Sequence, residues 1–429
     1  MVPDIDKHIG IYVYSTPTTI ITANTDVNIR DGYDSFIVEE VIDLGSFSIS
    51  DVRDSVHRYP LFRLIKRGID TTHALREVQL KYNIRLKVLG LKDASALTTQ
   101  YAIASKNITS DKVLLTKHCR LELIGYTDVM LSKRHLLGNI FHIKFKLRSK
   151  SIMNNIVNIL ETVNDYVKDR KVANFYGYQR FGSTRAVTHL VGKAIVKRAF
   201  NDAVNTLLTY TTEYESSEHK SIRIALMNNP LSKDLIESMS NTMDIERLVA
   251  RELLKSSDPI RALRALPVEV RRLFVEAYQA YIFNRTLSNA LINGYDISRV
   301  SDGDVYFIMH NGRLGDIKVA NAHAGDDNAI VAVPLVGYAS RLKGRFGMLM
   351  QDILKDEGIS IKDFYIKEMQ EVSIEGGFRP APLLLLSDIK YDLIDGDTIS
   401  LSFGLHKGSY ATILLREVIK PSNPPLQGF

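Results

Sequence analysis

The 429-residue chain combines 45% hydrophobic with 24% charged residues and a net charge of +6, which excludes a disordered protein and indicates a mild preference for polyanionic partners. No apolar run is long enough for a membrane span, and the N-terminal residues lack the pattern of a secretory signal. The single cysteine, Cys119, excludes an internal disulfide and a cysteine-based metal cluster, so we expect a buried, inert thiol in a cytoplasmic protein of about two domains.

The first part of the chain predicts strands around one helix. Residues 34–42 and 61–68 are rich in β-branched and aromatic side chains and predict two strands. Residues 70–82 have helical spacing, with an N-cap oxygen supplied by one of the first two residues. Residues 85–106 predict a strand, a loop that contains a glycine, and a second strand.

Residues 140–148, IFHIKFKLR, alternate between apolar and basic side chains from Phe141 onward. The apolar residues predict a face packed on the core, while His142, Lys144, Lys146 and Arg148 form a basic stripe on the other face. Lysines on a strand face are often simply solvated or block edge pairing. Contact with RNA phosphates is the second interpretation, and the residues alone leave both open.

The middle of the chain predicts helices, and the last part predicts strands. Residues 151–170 and roughly 185–295 have helical spacing, and the segment 270–291 carries a broad apolar face that includes Leu273. Residues after 300 predict strands that end at 398–419, and the terminal SNPPLQGF is expected to be loosely held. The pattern indicates an α+β protein in which C-terminal strands complete a mixed sheet and a second domain is inserted.

Residues 90–100, GLKDASALTTQ, place a carboxylate on a loop between two predicted strands. Gly90 permits tight backbone geometry, and the ammonium group of Lys92 would keep the Asp93 carboxylate ionised, as a nucleophile requires. Glycine, lysine and aspartate are also common in ordinary turns, which is the simpler interpretation of this tetrapeptide alone.

Residues 174–182, NFYGYQRFG, concentrate aromatic side chains beside Asn174, Gln179 and Arg180. Exposed aromatic rings next to an arginine would suit a site that stacks a flat ring and grips a phosphate. A loop packed by its own aromatic side chains is the alternative.

Other chemistries find little support in the sequence. The standard motifs for dinucleotides, nucleoside triphosphates, zinc peptidases and serine hydrolases are missing from it. His323, Asp326 and Asp327 form a weak metal-site candidate, for which a solvated loop is the preferred interpretation. His189 is expected at a helix start or in the core rather than as a catalytic base.

Seven segments of the chain resemble the TruD family of tRNA pseudouridine synthases, in particular its archaeal and eukaryotic-type members. Residues 34–41, 90–100 and 174–195 look like the family's opening strand motif, its catalytic-aspartate motif and the long motif around the aromatic loop. Because the segments follow the family order over nearly the whole chain, the resemblance is specific. The other similar segments are 135–148, 277–288, 333–338 and 403–418.

The resemblance implies a fold and a substrate. The catalytic domain would be the mixed, mostly antiparallel pseudouridine-synthase sheet, formed by residues 1–199 and 385–429, with an inserted α/β domain, the TRUD domain, at 200–384. The implied substrate is tRNA, most often at uridine 13 and in some members at other uridines or in other structured RNAs. We expect no cofactor, no metal and a monomer.

The resemblance also assigns site residues. It implies that Asp93 is the catalytic nucleophile, Asn174 its hydrogen-bonding neighbour, and Tyr176 the ring that stacks on the target base. Arg30 stands where the family commonly has lysine, and Ser35 and Tyr176 also depart from the commoner residues. A planar guanidinium and a point charge bind different partners, so the contacts of Arg30 are expected to differ. The remaining predicted RNA contacts are Phe36, Lys92, Gln179, Arg180, Lys144 and Lys146.

The main alternative is an RNA-binding protein or RNA chaperone without catalysis, which would keep the basic strand face and the aromatic loop. The presence of both Asp93 and Asn174 argues against it. A base methyltransferase should show a glycine-rich cofactor loop after its first strand, and none is visible. A glycosylase would release free uracil, which an assay detects directly.

Overall fold

The computed structural model describes residues 2–17, 27–90, 92, 94, 96–104, 112–148, 153–240, 242–321, 328–394 and 396–429. Three expectations from the sequence lie outside these residues. They are the placement of Asp93, the start of the helix predicted at 151–170, and the group formed by His323, Asp326 and Asp327.

Eleven described strands form a large mixed sheet in which β2 and β6 are the only parallel pair recorded. The order along the sheet is β14-β15-β9-β2-β6-β4-β8-β3, with β1 beside β9, β5 beside β6 and β7 beside β8. The pairing of β15 with β9 means that C-terminal strands complete a sheet begun near the N-terminus. The strands are β1 (Val27–Asn28), β2 (Phe36–Ile42), β3 (Ile49–Ser50), β4 (Tyr59–Arg67), β5 (Leu86–Val88), β6 (Leu97–Ala104), β7 (Val113–Leu115), β8 (Cys119–Thr127), β9 (Leu136–Leu147), β14 (Leu385–Ile394) and β15 (Thr398–His406).

A second, four-stranded antiparallel sheet lies between the two parts of the large sheet in the sequence. Its order is β11-β10-β12-β13, and β12 is buried over nearly its whole length. Together with the large mixed sheet and the many helices, this confirms the α+β fold class. The boundaries of the two domains stay a prediction. The strands are β10 (Val305–His310), β11 (Arg313–Val319), β12 (Ala329–Leu335) and β13 (Gly377–Pro380).

Helices occupy most of the chain between the two sheets. None of the described helices is both long enough and apolar enough to cross a lipid bilayer. Two large groups of buried apolar side chains form the core of the protein, and the long helix Val268–Ile292 packs on both of them. Most of the surface of this helix is therefore buried. The described α-helices are Asp4–His8, Thr71–Tyr82, Ile156–Lys168, Thr188–Val196, Phe200–Thr209, Ser217–Asn228, Lys233–Glu237, Asp244–Ser256, Pro259–Arg264, Val268–Ile292, Gly344–Asp356 and Ala411–Ile419.

Several local predictions are confirmed. The Asp70 carboxylate accepts hydrogen bonds from the backbone N–H groups of Thr72 and His73 and caps the helix Thr71–Tyr82. The alternation at 140–148 lies in β9, where the apolar residues are buried and the lysines exposed. Cys119 is buried, and this burial raises the pKa of its thiol, as expected for an inert cysteine.

Three other predictions are wrong. The segment Ala411–Ile419 is a helix rather than a strand, and because every residue in it is buried, no polar face revealed its helical period. Leu273 is 38% exposed on the helix Val268–Ile292, because the apolar stripe that packs inward does not include it. The C-terminal residues are held in place: Gln427 is fully buried, and its carbonyl accepts a hydrogen bond from the N–H of Ile29.

Candidate active site

A cavity of about 170 Å³ opens between the middle of the large sheet and the start of the helix Ala411–Ile419. Strands β2, β6 and β9 line one side of it, and residues 409–412 line the other. Cationic, amide and hydroxyl groups converge there with aromatic rings, which is a common composition of ligand sites. Four residues selected from the sequence line this cavity: Arg30, Phe36, Lys92 and Gln179.

The register of the central strands brings these groups to one face. Val38 of β2 lies opposite Phe141 of β9, and Glu40 lies opposite Asn139. Since side chains alternate along a strand, Glu40 shares the inner face of β2 with Phe36 and Val38. The polar side chains of Glu40 and Asn139 therefore lie beside the cavity, on an otherwise apolar face of β2 and β9.

The side chain of Lys92 contacts the amide of Asn139 on β9 and the carboxylate of Glu40 on β2. Its ammonium group donates a hydrogen bond to the side-chain oxygen of Asn139 and lies 3.8 Å from the carboxylate of Glu40. Burial raises the pKa of the Glu40 carboxyl, and the charge of Lys92 opposes this shift. A backbone N–H from Tyr101 donates to the same carboxylate at 3.0 Å. The arrangement keeps a cation next to the loop that carries Asp93.

Buried polar side chains fasten the part of that loop that precedes Asp93 in the sequence. The ammonium group of Lys66 donates to the carbonyl of Lys92 at 3.0 Å, and the hydroxyl of Thr71 accepts from the Lys92 N–H at 2.8 Å. The amide of Gln100 donates to the carbonyl of Gly90 at 3.3 Å. Asp93 itself lies outside the described residues, but Lys92 and Ala96 on either side of it both line the cavity.

Arg30 and Phe36 form a cation–π pair at the cavity. The guanidinium carbon of Arg30 lies 4.8 Å from the centre of the Phe36 ring. A planar guanidinium stacks on a ring more effectively than a lysine ammonium does, which gives the arginine at this position a specific contact.

The aromatic loop is buried, so the expectation of exposed rings is wrong. Every residue from 172 to 178 is buried, whereas Gln179 is exposed. A side chain at Gly177 would place its Cβ 2.9 Å from the hydroxyl of Thr412 and 3.1 Å from the ring of Tyr410. Glycine therefore lets the loop pack directly against the start of the last helix.

Asn174 and Tyr176 both contact Arg379 of β13. The guanidinium donates to the side-chain oxygen of Asn174 at 3.1 Å, and its carbon lies 3.9 Å from the centre of the Tyr176 ring. Tyr176 is 7% exposed, and its backbone N–H and carbonyl are both bound by the side chain of Asn284. Tyr176 does not appear in the cavity lining, but its ring centre lies 6.0 Å from that of Tyr410, which does.

Arg180 already has partners within the protein. Its guanidinium donates to the carboxylate of Glu276 at 3.1 Å and lies 5.4 Å from the centre of the Tyr176 ring. A phosphate contact would therefore share or replace the ion pair with Glu276.

Lys144 and Lys146 are not brought to the cavity. Both are exposed on β9, and the residues between and around them in the alternation, including the cavity-lining Phe141, point to the opposite face. Lys146 lies 4.0 Å from the carboxylate of Asp397. Contact of these lysines with RNA stays a prediction that would need RNA on the outer face of the sheet.

His189 is a core residue at the start of the helix Thr188–Val196, as expected. It is 2% exposed and lies against the rings of His8, Phe181 and Tyr281. Burial, aided by the nearby His8, lowers the pKa of His189 to about 3, so the side chain is neutral at physiological pH.

Sequence reasoning missed four residues of this region: Glu40, Asn139, Arg379 and Tyr410. Glu40 and Asn139 occupy inward positions of strands, and a polar residue at such a position was an available signal. Arg379 and Tyr410 carried no comparable signal, because they lie more than 190 residues from the loop that they contact. The described residues contain no group of three or more His, Cys, Asp or Glu side chains that could hold a metal ion.

Comparisons with known proteins agree with one another. The family model described as tRNA pseudouridine synthase D (TruD) matches residues 8–418. A Pyrobaculum islandicum protein described as a probable tRNA pseudouridine synthase D is 30% identical, covering 100% of this chain and 99% of the relative. A Methanosarcina acetivorans protein with the same description is 31% identical, with 99% and 98% covered. The crystal structure of a candidate TruD protein from Methanosarcina mazei superimposes with a TM-score of 0.77 at 29% identity, with 99% of both chains covered.

Proposed function

This chain belongs to the tRNA pseudouridine synthase D family and is an isomerase of that class, and from this premise we propose that it converts uridine to pseudouridine in tRNA with Asp93 as the nucleophile. One observation carries the proposal. Lys92 and Ala96, which flank Asp93 in the sequence, line a cavity together with Arg30, Phe36 and Gln179. We propose that the Asp93 carboxylate acts on a nucleotide bound in this cavity.

The reaction needs no change in composition or oxidation state. The bond between N1 of uracil and C1′ of ribose breaks, the base turns, and a bond forms between C5 and C1′. The proton leaves C5, and N1 gains one, so the atoms balance. A carboxylate serves such a reaction by attacking carbon and leaving again or by stabilising positive charge on the sugar. We therefore propose a reaction carried by the chain's own residues without a cofactor.

The lysine next to Asp93 supports an ionised carboxylate. The Lys92 ammonium is fixed by Asn139 and Glu40, and the backbone of Lys92 is fixed by Lys66 and Thr71. A fixed cation close to a carboxylate lowers its pKa and favours the charged form that a nucleophile needs. The same anchoring limits the conformations of the loop before substrate arrives.

Asn174 and Tyr176 are proposed to act on the carboxylate and on the base. Asn174 would donate its N–H to Asp93, and Tyr176 would stack on the uracil after it leaves the RNA helix. Stacking recovers part of the few kcal/mol, roughly, that flipping the base costs. One face of the Tyr176 ring is covered by Arg379, so stacking requires the other face and a small movement of the side chains that bury it.

The RNA is proposed to be bound by phosphate contacts outside the cavity, and we propose uridine 13 of tRNA as the main target. Arg30, Gln179 and Arg180 lie at or near the cavity and supply donors for the nucleotide. The inserted domain at 200–384 would hold the rest of the RNA. Binding should weaken with added salt because phosphate contacts release counterions. A monomer in the cytoplasm stays our prediction.

The test is a product assay. Purified protein is incubated with unmodified tRNA transcripts in the presence of a chelator, and pseudouridine is mapped by nucleoside mass spectrometry and site-specific chemical detection. We expect product at one defined uridine and none in a matched transcript that carries cytidine at position 13. Free uracil would indicate a glycosylase, and binding without product in any transcript would favour the alternative without catalysis.

A further inference from the structure

Arg379 is a buried cation, and its hydrogen-bond partners among the described residues are amide and carbonyl oxygens rather than a carboxylate. It is 7% exposed, and its hydrogen bonds run to the side chain and backbone of Asn174 and to the carbonyl of Phe175. None of the ion pairs recorded among the described residues involves it. Burying a charge costs free energy unless hydrogen bonds and π faces compensate, and Arg379 has both kinds of contact.

The contacts of Asn174 fix the orientation of its side-chain amide. On one side the Arg379 guanidinium offers only N–H donors, so the amide oxygen must face it, at 3.1 Å. On the other side the carbonyl of Pro380 offers only an acceptor, and the amide nitrogen lies 3.4 Å from it. Both neighbours therefore select the same orientation. In that orientation the oxygen accepts from Arg379, one N–H faces the carbonyl of Pro380, and the second N–H can be offered to a further partner.

The same guanidinium covers the Tyr176 ring. Its carbon lies 3.9 Å from the ring centre, within the range of a strong cation–π contact, and 5.9 Å from the centre of the Tyr410 ring. One side chain from β13 thus fixes two neighbouring residues of the loop at 174–182. Backbone contacts support this junction, since the N–H of Asn174 donates to the carbonyl of Ala381 at 2.8 Å.

We propose that Arg379 is a positioning residue for the reaction: it fixes the Asn174 amide so that an N–H is the group available to the carboxylate that Asn174 is proposed to bind, and it holds the Tyr176 ring in place. This inference rests on the proposed function of Asn174 and Asp93. Arg379 belongs to the small sheet, whereas the loop belongs to the segment before 200, so the inserted part of the chain completes the catalytic loop. The residue touches neither the reacting atoms nor the base and acts through Asn174 and Tyr176.

The test compares Arg379→Met and Arg379→Lys with the wild type in steady-state kinetics on the tRNA transcript. We expect both variants to lower kcat by about 10- to 100-fold with KM within about twofold, because misplaced groups cost turnover rather than RNA affinity. Lysine keeps the positive charge but lacks the planar guanidinium with its several N–H donors, so Arg379→Lys should restore little of the lost kcat. Arg170→Met is the matched control, since it also removes an arginine that donates to a carbonyl of the small sheet, at Ala329, and it should retain wild-type kcat.

A double-mutant cycle separates positioning from a general loss of structure. In an Asn174→Ala background, Arg379→Lys should lower kcat by a clearly smaller factor than in the wild-type background, because one of the two groups that Arg379 holds is already absent. Equal fold losses in both backgrounds, wild-type kcat in Arg379→Met, or full rescue by Arg379→Lys would each overturn the inference. If Arg379→Met fails to fold, Arg379→Lys carries the same test. A wild-type protein that forms no pseudouridine would overturn the proposed function and this inference with it, whereas active wild type with active Arg379 variants overturns the inference alone.

Discussion

The two loops that we propose to carry the chemistry are fastened in different ways. The loop that contains Asp93 is held by hydrogen bonds from Lys66, Thr71 and Gln100, and Ala94 within it is exposed. The loop at 174–182 is held by burial of its aromatic side chains, by Asn284 and by Arg379. The first loop is fixed through polar anchors at Gly90 and Lys92, and the second loop is packed in the core.

The difference indicates a division of roles. Each hydrogen bond to the first loop contributes only about 1 kcal/mol, so the loss of one anchor should change the position of the loop without unfolding the protein. A loop buried among rings is rigid and is suited to hold partners at fixed positions. We therefore expect changes in the buried loop to act mainly on geometry and changes at the polar anchors to act on both stability and turnover.

The largest effect below the nucleophile itself is expected for Asn174→Asp. The new carboxylate keeps an oxygen for the Arg379 guanidinium but has no N–H for Asp93, so kcat should fall by about 10²- to 10³-fold. The thermal unfolding temperature of the Asn174→Asp variant should stay at or above that of the wild type, because an ion pair with Arg379 replaces a hydrogen bond from Arg379 to a neutral amide. Asn174→Ala should lose similar activity but also stability, since it leaves Arg379 without that acceptor. Wild-type turnover by Asn174→Asp would contradict the proposed N–H donation.

A smaller effect is expected for Thr71→Val at the anchor of the other loop. The hydroxyl contacts the N–H of Lys92 at 2.8 Å and donates to the Gln100 side chain at 3.0 Å. Removing it should lower the free energy of unfolding by about 1–3 kcal/mol and kcat by about tenfold. Thr286→Val removes a buried hydroxyl far from the loop, bonded to the carbonyl of Ile282, and should leave kcat unchanged. Equal kcat for both variants would mean that the anchor does not matter for turnover.

The buried histidine predicts a dependence of stability on pH. Burial lowers the pKa of His189 to about 3, against about 6.5 in the unfolded chain. Below pH 6.5 the imidazole of His189 is therefore protonated in the unfolded chain but stays neutral in the folded protein. As the pH is lowered from 6.5 to the folded pKa, the free energy of unfolding decreases. Between pH 7 and pH 5 this proton uptake lowers the free energy of unfolding by about 2 kcal/mol.

Urea unfolding of wild type and His189→Gln at these two pH values isolates that contribution from other titrating groups. The variant should lose about 2 kcal/mol less than the wild type between pH 7 and pH 5. The same loss in both proteins would mean that the imidazole is not held neutral by burial.

The smallest effect is expected on the outer face of β9. If Lys144 and Lys146 contact phosphates, replacing both with glutamine should reduce the slope of log affinity against log salt by about 1 to 2 and leave kcat unchanged. The double replacement by arginine keeps both charges and serves as the control. An unchanged slope in the glutamine variant would show that the outer face carries only solvated lysines.

Sequence patterns predicted the strands better than the ends of the chain. The alternation in β9 and the cap at Asp70 are local signals, and both are confirmed. The helix Ala411–Ile419 was hidden because it is buried on all sides and its residues are largely β-branched or aliphatic. The terminal SNPPLQGF has the composition of a loose tail, yet long-range contacts such as that between Gln427 and Ile29 hold it.

The site was predictable only as far as its segments carried local motifs. Arg30, Phe36, Lys92 and Gln179 follow from the family resemblance, and the structure brings them to one cavity. Arg379 comes from a strand some 200 residues away in the sequence, and its contacts with Asn174 and Tyr176 arise from tertiary packing alone. Short motifs therefore indicated candidate groups, whereas the contacts of those groups with distant parts of the chain appear only in the folded protein.

The most direct test of the central claim is a single-turnover assay of Asp93→Ala on the tRNA transcript that the wild type modifies, with binding measured in parallel. The account predicts that the variant binds the tRNA within about threefold of the wild type and forms pseudouridine at least about 10⁴-fold more slowly. Appreciable pseudouridine formation by Asp93→Ala would contradict the assignment of Asp93 as the nucleophile.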